Sequence, residues 1–230
     1  MVELRFFRHS FFQLSANGKN ILIDPFLDCK APSPEMKALV KSPVQEKDFK
    51  DVSLILVSHE HYDHFDKKFI ESIASKQDSL VAAHDSVLNE LNLPKRQLVS
   101  IATDSSVNVR NASIKAFPAH HPHSFYPLSF LIELNGVRIF HAGDTDLMEE
   151  HEKIKADVAI LPIGGASTMD LVDAVKAVKC MKPKVAIPMS YNTFSHIQAD
   201  PLEFKARIEK SNLKTKPVIL QPGESFKLSF

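Results

Sequence analysis

One segment constrains this chain more than any other. An apolar run, Leu54-Ile55-Leu56-Val57, ends in Ser58 and is followed at once by His59-Glu60-His61-Tyr62-Asp63-His64. A run of that kind, with no polar alternation, fits a β-strand buried on both faces. The fold must therefore cover both sides of a sheet while leaving the carboxyl end of one strand open, the place where α/β sheets present ligand-binding loops. In nearly extended backbone alternate side chains project to the same side, so His59 and His61 can hold one metal ion. Asp63 and His64, a turn further on, can hold a second beside it. Imidazole and carboxylate together suit zinc, and also iron or manganese. The chain has eleven histidines, and three of them fall within these six residues. Such clustering of metal-binding and acid–base groups asks for a chemical explanation.

The pattern around this segment limits the architecture. Residues 4–7, 11–15 and 20–24 read as strands, and Asn17-Gly18 suits the positive-φ positions of a tight hairpin. Residues 26–50 are irregular, with Pro32, Pro34 and Pro43 around a short helix expected at 35–40. After the histidine cluster come a helix at 66–75, a buried strand at 80–83 and a helix at 85–91 capped by Asp85. Strands return at 113–117, 129–134 and 137–140, the last two joined by Asn135-Gly136. The chain then alternates: strand 158–161, helix 170–180, strand 185–188, helix 201–210, strand 218–220 and an edge strand at 225–230. Two stretches of strands, each followed by helix–strand alternation, predict an α/β (α+β) chain of two sheets packed face to face with helices outside. The hairpins argue against a doubly wound parallel sheet. No composition shift divides the chain, which is expected to be one domain over residues 1–230.

Charge and cysteine content narrow the partners. Lys plus Arg and Asp plus Glu both number 28, so the formal charge is zero. That balance gives no reason to expect nucleic acid or an anionic membrane as a partner, and leaves a small molecule as the expected one. A homo-oligomer stays open. Cys29 and Cys180 form no disulfide framework, residues 1–12 lack the apolar stretch of a signal peptide, and no run is long enough to span a bilayer. A cytoplasmic location is expected.

The string His59-x-His61-x-Asp63-His64 resembles the signature of the metallo-β-lactamase superfamily. Phe7-Arg8-His9-Ser10-Phe11 and Ile21-Leu22-Ile23-Asp24-Pro25-Phe26 are similar to the opening of one branch, which includes L-ascorbate-6-phosphate lactonases and N-acylphosphatidylethanolamine phospholipases. Pro118-Ala119-His120-His121, His141-Ala142-Gly143-Asp144-Thr145 and Pro188-Met189-Ser190-Tyr191-Asn192-Thr193-Phe194 match further blocks in order. The resemblance implies a four-layer αββα sandwich with metals at one edge. It implies His121 as the third histidine of the first ion, with His120 and His123 as rivals, and Asp144 as the carboxylate between two ions. His141 reads as a strand-end histidine. At Ser190 the resembling family usually has a histidine that binds the second ion. Serine is a poor ligand, so the second site is left with Asp63, His64, Asp144 and solvent, and His196 is the nearest residue that could substitute. His9, His120, Ser190 and Asn192 are candidates for substrate contact or for support behind the ligands, as is Thr193. Asp24 is expected to orient loops or ligand histidines.

The chemistry implied is hydrolysis. A zinc-bound water has its pKa lowered from about 15.7 towards 7, and the resulting hydroxide attacks a carbonyl or phosphoryl centre. Asp63 and Asp144 are the expected catalytic carboxylates. The branch resemblance points to a phosphodiester or to a lactone or other ester of a small metabolite, and does not choose between them. Ser190 favours an alternative, a degenerate metal- or ligand-binding protein of the same fold.

Overall fold

The computed structural model describes residues 1–27 and 31–229. Cys29, and Phe230 at the end of the expected last strand, lie outside the described residues; Cys180 is free. The first part of the chain supplies strands β1 (Val2–Arg8), β2 (Phe11–Ala16), β3 (Lys19–Ile23), β4 (Val52–Leu56), β5 (Leu80–Ala83) and β6 (Leu98–Ser100). The second supplies β7 (Ser106–Val109), β8 (Ala112–Pro118), β9 (Leu128–Leu134), β10 (Val137–His141), β11 (Val158–Pro162), β12 (Val185–Met189) and β13 (Lys216–Pro217), after which β14 (Ser225–Leu228) returns to the first sheet. The sheet orders are β14-β1-β2-β3-β4-β5-β6 and β13-β12-β11-β10-β9-β8-β7.

Both sheets follow one plan. In the first, β14, β1, β2 and β3 pair antiparallel, and β3, β4, β5 and β6 pair parallel. In the second, β7, β8, β9 and β10 pair antiparallel, and β10, β11, β12 and β13 pair parallel. The two hairpins have the turns their sequence calls for. Asn17 and Gly18 sit at φ 53° and 71°, and Asn135 and Gly136 at 50° and 76°, the paired positive φ values that match strand twist.

The interior explains the apolar runs. Leu4, Phe12, Leu14, Ile23, Leu54 and Leu56 of the first sheet share one buried cluster with Ile114, Phe130, Ile132, Ile139, Ile160 and Ile187 of the second. Ile55 and Val57, which alternate with Leu54 and Leu56, join Phe7, Phe11 and Leu22 on the other face, under Phe69, Ile70 and Ile73 of α1 (Lys67–Gln77). β4 is thus buried on both faces, as its sequence requires. Full burial of each such side chain contributes about 1.5–3 kcal/mol, against about 0–1 kcal/mol for an exposed ion pair, so the shared core holds the layers together. α2 (Asp85–Leu88), α3 (Leu171–Met181) and α4 (Pro201–Glu209) complete the helices. No helix among the described residues is long and apolar enough to cross a membrane.

Several local expectations are corrected. The helix expected at 35–40 is a single 3-10 turn, Pro34–Met36, because Lys37 is already extended. The second helix is one turn, capped by His84, whose side chain accepts from the Ser86 N–H, and not by Asp85. The strand expected at 218–220 pairs only as Lys216–Pro217, although Val218 N still donates to Ala186 O. β6 and β7 were not expected from sequence.

The layout fixes where chemistry can sit. Asp24 follows β3, His59 follows β4, Asp144 follows β10 and Ser190 follows β12. Each is at the carboxyl end of its strand, and β3 and β10 are the strands at which antiparallel pairing gives way to parallel.

Candidate metal centre

Asp24 forms the floor of the cluster. It is fully buried, with a left-handed φ of 48°. Its Oδ1 accepts the Ser58 N–H at 2.7 Å, and its Oδ2 accepts the Ser58 hydroxyl at 2.7 Å. The same Oδ2 is 2.8 Å from His64 Nδ1. With its own proton given to Asp24, Ser58 Oγ accepts from His59 Nδ1 at 2.9 Å. That fixes the His59 tautomer and leaves Nε2 as a bare lone pair. His59 Nε2 is buried without a hydrogen-bond partner among the described residues. Burial, with the neighbouring His64, pushes His59 well below the usual histidine range, so it is neutral.

Two more imidazoles converge on that lone pair. His61 Nε2 faces the His123 carbonyl at 3.4 Å, and His121 Nδ1 donates to the Ser167 carbonyl at 2.9 Å. Their other nitrogens, His61 Nδ1 and His121 Nε2, lie 3.0 Å apart, with His121 Nε2 accepting when His61 carries its proton on Nδ1. Burial pushes His121 below the usual histidine range, which keeps its Nε2 unprotonated and able to bind an ion. One ligand atom from each of His59, His61 and His121 lies within 4.8 Å of the others. The orphaned His59 nitrogen and the convergence of three imidazoles on it fit a metal ion.

A second group adjoins the first. Asp144 Oδ2 lies 3.3 Å from His64 Nε2 and 3.9 Å from His121 Nε2, so this carboxylate faces both groups. Asp63 Oδ2 lies 3.3 Å from His9 Nε2, and His9, Asp63 and His64 bring ligand atoms within 4.8 Å of one another. Burial alone would raise both carboxylates. His64 instead holds Asp144 well below the usual range, and the His9 contact and the charge of His64 hold Asp63 below it. Burial would lower His64, but Asp144 and Asp24 hold it well above the usual range. Gly143 lets β10 turn Asp144 into the cleft: at φ 59°, an added Cβ would stand 2.8 Å from the Leu128 carbonyl.

Residues 19–191 match the family model described as the beta-lactamase superfamily domain. The chain belongs to the beta-lactamase superfamily. It is 36% identical over 251 residues to a UPF0173 metal-dependent hydrolase of Aeropyrum pernix, a match covering 100% of this chain and 99% of that protein. It is 37% identical over 240 residues to a UPF0173 metal-dependent hydrolase of Pyrococcus furiosus, covering 99% of this chain and all of that one. Among solved structures it resembles Igni18, a metallo hydrolase from Ignicoccus hospitalis, with a TM-score of 0.81 and 30% identity over 99% of each chain. The two mixed sheets with outer helices are the superfamily's αββα sandwich, and the chain is a member of its metal-dependent hydrolases.

Not every residue singled out in this superfamily member's sequence reaches the cluster. His120 is exposed and pairs with Asp146 through Nδ1 at 2.8 Å, while His121 turns inward. His123 contributes its carbonyl to His61. His141 is buried between strands, its Nε2 at 3.0 Å from the Ser10 carbonyl. Ser190 donates to Asp144 Oδ1 at 3.2 Å. His196 stacks on Phe194, with ring centroids 5.7 Å apart, and joins none of the three convergent groups although it lines the cavity over them. Asn192, expected at the substrate, uses its amide on both backbone groups of Ala199, and Thr193 bonds the Tyr191 carbonyl. Sequence reasoning missed Glu60, whose carboxylate accepts from Phe125 N at 2.7 Å and from Ser124 Oγ at 3.1 Å. It thereby ties down the segment carrying His121 and His123. Its place inside the His-x-His string was the available signal.

A cavity of about 480 Å³ opens over the cluster, walled by Pro32, Met36, Phe194 and Ile197, with His9, Asp63, His121 and Asp144 at its base. None of its described lining residues is Lys or Arg. A larger hollow of about 1090 Å³ beside it, around Arg8 and Lys41, contains none of these histidines.

Proposed function

We propose that this protein is a zinc-dependent hydrolase acting on the lactone or other ester carbonyl of a small cytoplasmic metabolite. The cavity carries the choice of substrate. Glu60, Asp63 and Asp144 line it, and no described Lys or Arg side chain offsets them. Ions bound to Asp63 and Asp144 would offset their charge, but no described Lys or Arg is there to hold the phosphoryl oxygens of a phosphodiester that the ions leave free, whereas a lactone or ester needs no such partner. Pro32, Met36, Phe194 and Ile197 offer its carbon skeleton apolar contact.

His59, His61 and His121, with Asp144, would hold the first ion, and Asp63, His64 and Asp144 would contribute to the second. A bound divalent ion supplies an acidified water near neutral pH and an electrophile for the carbonyl oxygen. Asp63, held below the usual carboxylate range, lines the cavity, so it can orient the attacking water by accepting a hydrogen bond from it. Asp24 holds His64 and Ser58 in place, and through Ser58 it fixes the His59 tautomer.

The test is a panel of small lactones, carboxylic esters and a model phosphodiester, assayed before and after chelation. The expected result is turnover of lactones or esters well above the phosphodiester, abolished by chelator and restored by zinc or manganese. A preference for the phosphodiester would contradict the substrate class, and turnover that survives chelation would contradict metal dependence.

A further inference from the structure

We propose that His9 is a direct ligand of the second ion, in place of the histidine that the family resemblance puts at Ser190. The inference rests on the metal-dependent reading above but concerns the second position alone.

His9 is 4% exposed, and among the described residues its Nδ1 has no partner and its Nε2 has only the 3.3 Å contact with Asp63 Oδ2, which lacks hydrogen-bond geometry. A buried imidazole whose Nδ1 is unsatisfied and whose Nε2 has only a long carboxylate contact recovers little of the hydration it loses. A ligand role accounts for that arrangement. Nε2 lies 3.3 Å from Asp63 Oδ2, and His9, Asp63 and His64 each bring a ligand atom within 4.8 Å of the others. The ring is held edge-on against Phe194 and Phe26, with centroids 5.2 and 6.2 Å away.

The backbone is built to present it. His9 occupies the turn between β1 and β2 at φ 54°, a left-handed conformation that a non-glycine residue keeps only when its surroundings enforce it. Next to it, the Arg8 guanidinium bonds the carbonyls of Phe26, Leu27 and Val40. The His9 carbonyl in turn accepts the Ser190 N–H at 3.1 Å. The segment that lacks the expected histidine is therefore tied to the segment that supplies one. Ser190 itself directs its hydroxyl to Asp144 Oδ1.

The shared plan of the two sheets supports the assignment. β1 and β2 occupy the positions in the first sheet that β8 and β9 occupy in the second. The connection between β8 and β9 carries His121 to the first group, and the turn between β1 and β2 carries His9 to the second. Each group then receives one histidine from an antiparallel connection and the rest from the ends of central strands. The second set becomes two imidazoles and two carboxylates, His9, His64, Asp63 and Asp144, a donor set suited to zinc.

The test uses the full chain, stripped with chelator and titrated with zinc by calorimetry. The unaltered protein should bind two ions. His9→Gln should leave the first ion's affinity unchanged and weaken the second more than about 100-fold, beyond the 10–100-fold expected for a residue standing behind a ligand. Ser190→His added to His9→Gln should restore the second ion, since it supplies the imidazole from β12. A smaller loss in His9→Gln, or no recovery in the double variant, overturns the assignment. Anomalous diffraction from zinc-soaked crystals of the unaltered protein gives a reading independent of any variant. His9 Nε2 should lie about 2.0–2.1 Å from an ion, and both ring nitrogens outside bonding distance would overturn it. If no ion binds even at His59, His61 and His121, the metal reading itself falls, and the role of His9 falls with it.

Discussion

Asp24 controls much of the site without being placed to touch an ion. Its carboxylate takes the Ser58 N–H, the Ser58 hydroxyl and His64 Nδ1, all within 2.8 Å. Asp24→Asn keeps the shape but replaces one acceptor oxygen with an NH2 group that faces other donors. Zinc affinity should fall about 10–100-fold, as for other residues that orient ligands. Competition against a chromophoric chelator measures this, and an unchanged affinity would show that His59 and His64 are oriented by packing alone. Asp24 was legible as an orienting residue because it precedes Pro25 and sits in a block resembling the family. Ser167, which fixes the His121 tautomer, was not legible, because it contributes a carbonyl, and every residue has one. The choice among His120, His121 and His123 was open in the residues themselves. It depends on the pairing of His120 with Asp146 and on the left-handed φ of 71° at His123, both set by tertiary structure.

At the scale of elements, buried strands were readable and edges were not. β11 and β12, and β4 from Leu54 on, are continuous apolar runs because both faces are covered. β7, Ser106–Val109, alternates exposed and covered residues over only four positions, too few to stand out from a loop. α1 is delimited by chemistry visible in sequence. Asp66 caps it by accepting the Phe69 N–H at 3.2 Å, and Asp78 ends it in the left-handed region at φ 51°. Asp66→Ala should cost about 0.5–2 kcal/mol, measured as a shift in urea midpoint; no shift would mean that packing against β4 alone defines the helix. Asp157, just before β11, binds two elements at once: it accepts Arg138 N–H at 2.9 Å and pairs with Lys184 Nζ at 3.0 Å. Burial would raise this carboxyl, but those contacts outweigh it and hold it below the usual range. A group with a depressed folded-state pKa contributes stability above its unfolded value of about 3.9 and loses it as pH falls through the folded value. Asp157→Asn should therefore lower Tm at neutral pH, and the difference from the unaltered protein should close as the solution is acidified below about pH 4. A difference independent of pH would assign the effect to packing instead of charge.

Across the whole molecule, the sequence carried the layer architecture and left the pairing open. Two blocks of strands, each followed by helix–strand alternation, were enough to predict two packed sheets. That the two sheets share one plan was not visible, because the repeat is one of strand order and not of residues. Nor was the pairing of β14 with β1, which joins Val2 to Leu228 from opposite ends of the chain. The shared plan is what brings the ends of β3, β4, β10 and β12 to one edge, where His59, His61, His121 and Asp144 meet. That meeting is tested most directly by zinc content after equilibrium dialysis against a zinc buffer, comparing the unaltered protein with His61→Ala, His121→Ala and His120→Ala. The first ion should be retained by the unaltered protein and by His120→Ala, and lost from His61→Ala and His121→Ala. Retention by His121→Ala with loss from His120→Ala would contradict the metal centre described above.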